Sequence, residues 1–230
     1  MTIPPHTAIV FVHGIASGLA DWKPVVQHNF KTYSTMRYDQ QGELTYQFNE
    51  QSPVVWVVSY YSQNVLAETV TGDLTQYTDR LSHILEQITE LSGAKQYILM
   101  AHSMGGLVAR SVMVQSQEHW DSVRRIVTVA TPYLGVKVSI GIVGQLRDLR
   151  YNSDFIQQLN TKWDSYAAID SELKWGVVGA YHPMMALPVM LRTGSAIDLG
   201  GPGWVALYSA IPYGEWKDAL QEENIISYDS

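Results

Sequence analysis

The fold of this chain is constrained most by residues 96–110, which read QYILMAHSMGGLVAR. The segment begins as an apolar run, Tyr97 to Ala101, that is short enough for a buried strand, and it continues into a helix-like pattern. Ser103 lies at the turn between the two. A serine held on a strained strand-to-helix turn needs small residues two positions before and after it, because larger side chains would collide. Ala101 and Gly105 occupy those positions.

The motif Ala-His-Ser-Met-Gly-Gly, from Ala101 to Gly106, resembles the nucleophile elbow of small bacterial lipases in the α/β-hydrolase superfamily. Ala101 stands where most members carry glycine, which is a conservative change because a methyl group still fits. The resemblance implies that Ser103 is the nucleophile. His102 adjoins the serine, and its side chain is expected to point away from the tight turn. The alternative interpretation is a serine in an ordinary strand-to-helix turn.

A second motif ends another apolar strand, where residues 8–15 read AIVFVHGI. In α/β hydrolases this strand end supplies part of the oxyanion hole, a set of backbone N–H groups that bind the oxygen that becomes negative during acyl transfer. By resemblance to the lipases, the donors would be the N–H groups of Ile15 and Met104. His13 is expected to be a buried residue that braces the loop and takes no proton. The adjoining Gly14 is expected to be structural as well.

The composition excludes several classes of protein. The 230 residues are 46% hydrophobic and 16% charged, which is typical of a folded globular chain. The formal net charge of −7 argues against nucleic-acid binding, which usually needs a basic face. The sequence has no cysteine, so a disulfide or a thiolate zinc site is impossible. No His-Glu-x-x-His and no phosphate-binding loop motif occurs, so neither a metal nor a cofactor is implied.

The sequence carries no membrane or export signal that can be read from its patterns. No apolar run reaches the ~18–20 residues needed to span a bilayer, although peripheral contact with lipid stays open. No charged segment followed by an apolar one starts the sequence, as a signal peptide would require. We therefore expect a cytoplasmic protein, or a secreted one whose signal peptide is missing from this sequence.

The order of the predicted elements favours a mostly parallel sheet. Apolar, β-branched runs predict strands at 8–12, 54–60, 97–101, 125–130 and 175–180. Apolar residues that recur every three or four positions predict a helix over 74–91, ended by Gly93, and the helix after Ser103 is expected to run to about Gln117. This alternation predicts a single α/β-hydrolase domain over residues 1–230, with helices on both faces of the central sheet. Sites in such sheets lie at the carboxyl ends of the strands.

Residues 133–170 depart from this alternation and are predicted to form a lid or cap. The stretch 152–160, NSDFIQQLN, resembles a segment of lipase caps, and Ser153 or Asp154 can cap a short helix there. A lid would exclude water and shape an acyl pocket. The alternative is an ordinary helical insertion packed on the sheet.

A serine nucleophile needs a histidine to accept its proton and a carboxylate to orient that histidine. In α/β hydrolases the acid and then the histidine follow the serine, but here only His119 and His182 do so. His119 lies beyond the helix that follows the turn, about 20 Å away at ~1.5 Å per residue, which is too far for a base. Asp198 lies in a segment that resembles the one carrying the acid in lipases, although it is four positions out of register. Its alternative role is that of an exposed turn residue.

Three accounts of the missing base remain open. The histidine of the family follows the last strand, and this sequence ends at Ser230 just after a predicted strand at 224–228, so the base would lie beyond the sequence. In the second account His182 serves from a rearranged loop. In the third the triad is incomplete, and the protein binds ligands or keeps only weak activity.

The sequence therefore predicts a carboxylic-ester hydrolase of the lipase or esterase kind, with Ser103, Asp198 and His182 as its candidate catalytic residues. The apolar segments 136–146 and 183–191 favour a lipid-like or other apolar acyl substrate. One alternative is an acyltransferase that uses the same acyl-enzyme. The other is a ligand-binding relative of the hydrolases without a competent triad.

Overall fold

The computed structural model describes residues 3–48, 54–62, 65–136, 144–170 and 174–178. Its helices and strands follow one another in this order: β1 (Thr7–Val12), α1 (Lys23–Asn29), β2 (Ser34–Tyr38), β3 (Leu44–Gln47), β4 (Val55–Ser59), α2 (Val65–Thr71), α3 (Leu74–Ser92), β5 (Gln96–His102), α4 (Met104–Met113), α5 (Gln117–Ser122), β6 (Val123–Val129), α6 (Gln145–Asp148), α7 (Asp154–Ala167) and β7 (Trp175–Val178).

The strands in these ranges form one sheet in the order β3-β2-β4-β1-β5-β6-β7. Neighbouring strands are parallel except for β2 and β3, which form an antiparallel hairpin at one edge. Strand β1 pairs with β5 in a register that sets Val12 beside Ala101. The loop after β1 and the turn after β5 therefore leave the sheet side by side at its carboxyl edge. The prediction of a mostly parallel sheet is confirmed.

The side chains of β1 alternate between two apolar cores. Val10 and Val12 join the larger core, which also contains buried side chains of α3 and α4. Ile9 and Phe11 join a smaller core with Val26 of α1 on the opposite face. Helices therefore cover both faces, as predicted. Burial on both sides explains why β1 reads as a continuous apolar run without polar alternation.

The long helix α3 agrees with its prediction at both ends. Asp73 caps its first turn, with the carboxylate accepting a hydrogen bond from the Gln76 N–H at 2.8 Å. Gly93 ends it in the left-handed conformation, with φ 69°. The helix after Ser103 is shorter than predicted and ends at Met113. Ser116 is extended there and caps the separate helix α5, which stops α4 from continuing to Gln117.

Several predicted features lie outside the described residues. These are the apolar segment 183–191, the strand at 224–228, and both His182 and Asp198. In the part of the chain that is described, no helix combines the length and the apolar character needed to cross a membrane.

Candidate active site

Ser103 lies at the sharp bend between β5 and α4, and it is partly exposed. Its φ of 51° and ψ of −127° are unusual for a residue with a side chain. Its N–H donates to the Val129 carbonyl at 2.8 Å, and its own carbonyl accepts from the Gly106 N–H at 3.0 Å and the Thr131 hydroxyl at 2.9 Å. Such strain costs about 1–3 kcal/mol and persists only where the surroundings over-determine it. Here the end of β6 and the first turn of α4 supply those contacts.

The glycines around Ser103 allow three backbone segments to approach each other closely. A methyl group on Gly105 would lie 2.2 Å from the His13 carbonyl oxygen, and one on Gly106 would lie 2.0 Å from the Thr131 hydroxyl oxygen. A methyl group on Gly14 would lie 3.0 Å from Cβ of Ser103. Gly105 is thus at a position that tolerates no side chain. The loop after β1 packs directly against the serine and the start of α4.

The loop after β1, which we call the oxyanion loop (residues 13–19), is fixed by hydrogen bonds at Gly14, directly before Ile15. The Gly14 N–H donates to the Asp21 carboxylate at 3.2 Å, and the Gly14 carbonyl oxygen lies 2.7 Å from Nδ1 of His13. The N–H of Ile15 has no hydrogen-bond partner among the described residues.

The N–H of Met104, in the first turn of α4, likewise has no partner in the described ranges. First-turn N–H groups of a helix have no intrahelical acceptor, and they carry the positive end of the helix dipole. The structure therefore brings together, beside one serine, two segments that each have an N–H group without a partner among the described residues.

His13 is fully buried and packed into the base of the oxyanion loop. Its Nδ1 lies 2.7 Å from the Gly14 carbonyl oxygen, its Nε2 lies 3.1 Å from the Ser59 hydroxyl, and its ring stacks on Tyr60 at 4.1 Å. A carbonyl only accepts, so we assign the ring proton to Nδ1. Burial lowers the pKa of His13 from 6.5 to about 4. A neutral imidazole with both nitrogens engaged favours the bracing role over proton transfer.

The buried imidazole makes stability depend on pH. Because the pKa of His13 is about 4 in the folded state and 6.5 when unperturbed, the unfolded chain binds more protons between these values. The contribution of the neutral His13 to the stability of the folded protein is present above pH 6.5 and is lost as the pH falls towards 4. We expect urea denaturation to show that the free energy of unfolding falls by about 3 kcal/mol more in the wild-type protein than in His13→Gln between pH 7 and pH 4. Replacing the exposed His28 by glutamine should leave the wild-type slope unchanged, and an unchanged slope in His13→Gln would refute this account.

His102 directs its ring towards Asp21, with Nδ1 at 2.9 Å from the carboxylate. Burial raises the pKa of Asp21, but hydrogen bonds from His102, Gly14 and Ser17 and the charge of the imidazole outweigh it, so the net shift is downward. The sequence did not identify Asp21, which stands just before α1 and carries no motif. His119 lies in α5, where its ring contacts the hydroxyls of Ser82 and Ser116.

Two of the candidate catalytic residues, His182 and Asp198, lie outside the described residues, so their position relative to Ser103 stays a prediction. In the ranges that are described, no group of three or more histidine, aspartate or glutamate residues could hold a metal ion.

Helix α7 is the longest element in the described part of the predicted lid, and it packs tightly against its neighbours. Trp163 lies 5.0 Å from the ring of Trp120 and 5.2 Å from that of Trp175. The buried guanidinium of Arg110 lies 4.3 Å above Trp163 and donates to Asn160 at 3.2 Å. These contacts pack α7 against α4, α5 and β7. A lid function for residues 133–170 as a whole stays a prediction.

The mostly parallel sheet, the bend at Ser103 and the adjoining loop after β1 define an α/β-hydrolase fold. The profile of one protein family, described as the PGAP1-like alpha/beta domain, matches residues 5–174. The chain therefore belongs to the PGAP1-like alpha/beta domain family.

Individual proteins of known sequence or structure are similar to the chain at low identity. A Haemophilus influenzae protein named probable lysophospholipase L2 is 22% identical over 226 residues, which cover 89% of this chain and 62% of that protein. The chain thus spans less than two thirds of this relative.

Two solved structures share the fold. A gene product of Listeria innocua matches with a TM-score of 0.61 at 11% identity, over 90% of this chain and 78% of the other. The mature lipase BlEst2 of Bacillus licheniformis matches with a TM-score of 0.51 at 18% identity, over 93% and 82% of the two chains. At these low identities, the similarity shows a common fold alone.

Proposed function

We propose that this protein is a serine-dependent carboxylic-ester hydrolase that works through an acyl-enzyme. One observation carries the proposal: Ser103 is held in a strained, partly exposed conformation at the start of α4, directly against a loop in which the N–H and the carbonyl of Gly14 are both hydrogen-bonded. Strain of this kind concentrates at functional sites. An ordinary strand-to-helix turn has no need of it.

The proposed reaction proceeds in two steps. The Ser103 hydroxyl oxygen attacks the ester carbonyl carbon while a base takes its proton, and a tetrahedral oxyanion forms. The oxyanion collapses, the bond to the alcohol oxygen breaks, and the alcohol leaves with the proton. A water molecule then attacks the acyl-enzyme by the same route, which releases the carboxylic acid and restores the serine.

In this proposal the N–H groups of Ile15 and Met104 stabilise the oxyanion. Each donor of this kind contributes about 3–4 kcal/mol to lowering the barrier. The dipole of the ten-residue helix α4 acts in the same direction, because its positive end points at the developing charge. The hydrogen bonds at the N–H and the carbonyl of Gly14 orient the Gly14–Ile15 peptide before the substrate arrives, so little reorganisation is needed during the reaction.

We assign the base and the acid to His182 and Asp198. His13 and His119 do not compete for the role, because each has both ring nitrogens engaged away from Ser103. We further propose an apolar or lipid-like acyl substrate, which is supported by the apolar segments 136–146 and 183–191 and by the relative named a lysophospholipase.

Hydrolysis of p-nitrophenyl esters by wild-type protein and by Ser103→Ala tests this proposal. We expect the substitution to lower kcat by about 10³-fold or more, because the nucleophile is lost while the oxyanion donors remain. Ser62→Ala, which changes a partly exposed serine outside the bend, should keep wild-type activity. Product analysis with an added alcohol separates hydrolysis from acyl transfer. Equal activity in Ser103→Ala and wild type would refute the proposal.

A further inference from the structure

A single carboxylate oxygen connects the two halves of the candidate active site. Oδ2 of Asp21 accepts a hydrogen bond from the Gly14 N–H at 3.2 Å and one from Nδ1 of His102 at 2.9 Å. Gly14 directly precedes Ile15 in the oxyanion loop, and His102 directly precedes Ser103 at the bend. The carboxylate thus joins the residue before the proposed oxyanion donor to the residue before the proposed nucleophile.

The two hydrogen bonds of this bridge are strengthened by the negative charge of Asp21. An ionised carboxylate only accepts hydrogen bonds, so it can take an N–H from the loop and an N–H from the imidazole at once. Hydrogen bonds to a charged acceptor are roughly twice as strong as neutral ones. Asp21 is only 25% exposed, which limits the competition from water.

The oxyanion loop needs such an anchor because its backbone is strained. Ala16 has a φ of 52°, a conformation that residues with side chains rarely adopt. The N–H of Gly14 is held by Asp21, and the Gly14 carbonyl oxygen is held by Nδ1 of His13. Without the Asp21 contact, the Gly14–Ile15 peptide is held through its carbonyl by the His13 contact alone, so the Ile15 N–H is less firmly oriented towards the serine.

We propose that Asp21 is a positioning residue for ester hydrolysis, which sets the oxyanion loop at a fixed distance from Ser103 through Gly14 and His102. The inference rests on the proposed function. Asp21 touches neither substrate nor reacting atoms in this scheme. It acts on the transition state alone, because the oxyanion forms only there.

Asp21→Asn tests the proposal, since it keeps the size of the side chain and removes the charge and one acceptor. We expect kcat to fall by about 100-fold, the usual cost of a misplaced catalytic group, with KM changed by less than about twofold. Inhibition by a trifluoromethyl ketone, which mimics the tetrahedral oxyanion, should weaken by the same factor as kcat.

Asp170→Asn is the matched control. The Asp170 carboxylate is 17% exposed, accepts from the Trp120 indole at 2.7 Å and pairs with Lys174 at 3.1 Å, close to the amino end of β7. The Asp170→Asn variant should be less stable than the wild-type protein, with little change in kcat or in the affinity for the inhibitor. If Asp21→Asn does not fold, His102→Ala breaks the same bridge from the other end, and it should also lower kcat without raising KM.

The outcomes separate the two proposals. If hydrolysis depends on Ser103, but Asp21→Asn and His102→Ala behave like Asp170→Asn, the positioning role is wrong and the proposed function stands. A rise in KM with unchanged kcat also overturns it. If wild-type protein shows no hydrolysis that depends on Ser103, both proposals fail together.

Discussion

Ser103→Gly is expected to abolish ester hydrolysis and to make the protein more stable. The φ of 51° at Ser103 costs about 1–3 kcal/mol for a residue with a side chain, and glycine adopts it freely. Glycine also raises the conformational entropy of the unfolded chain, which lowers the free energy of unfolding by about 0.5–1 kcal/mol. The net expectation is a gain of about 1 kcal/mol in the free energy of unfolding, measured by urea denaturation, beside a loss of activity of about 10³-fold or more.

Ser103→Ala is the matched control for this substitution. It removes the same hydroxyl and keeps the Cβ atom that causes the strain, so it should lose activity without the gain in stability. A glycine variant no more stable than the alanine variant would contradict the interpretation of the bend as stored strain. Activity retained in either variant would contradict the role of Ser103 itself.

Gly105→Ala is expected to damage stability and activity together. The added methyl group would meet the His13 carbonyl oxygen at 2.2 Å, a backbone atom that cannot move aside alone. We expect a loss of about 1–3 kcal/mol in the free energy of unfolding, as for other overpacked sites. The collision pushes the oxyanion loop away from the start of α4, so kcat/KM should fall by about 100-fold.

Gly18→Ala provides the comparison within the same loop. Its methyl group would lie 3.9 Å from the Ser59 hydroxyl oxygen, an ordinary contact, and its effect on both quantities should be small. If the two alanine variants show equal stability and equal kcat/KM, the close approach of the loop to α4 is not a requirement of the site.

The elements that form the bend could be predicted because their signals are local. A buried strand, a serine between small residues and a following helix all lie within residues 96–110, and the steric demands of the turn fix their order. The same holds for β1 and its His-Gly end. Parallel pairing then follows from the long helix α3, which returns the chain to the start of β5.

The remaining features depend on contacts between distant residues. Asp21 and His102 are 81 positions apart, and no spacing rule links them. Helix α2, at seven residues, is too short to show a periodic apolar face. The contact of Arg110 with Trp163 joins α4 to α7 through a buried cation that reads, in the sequence, as an ordinary charged residue near a helix end. Each of these three features is determined by tertiary packing, which local sequence patterns do not reveal.

The central claim is that the Ser103 hydroxyl is an activated nucleophile. Treatment of the intact protein with a fluorophosphonate, followed by digestion and peptide mass spectrometry, tests it most directly. The account predicts a covalent adduct on the peptide that contains Ser103, and no adduct after heat denaturation. An unmodified Ser103 in the folded protein, or an adduct confined to another residue, would contradict it.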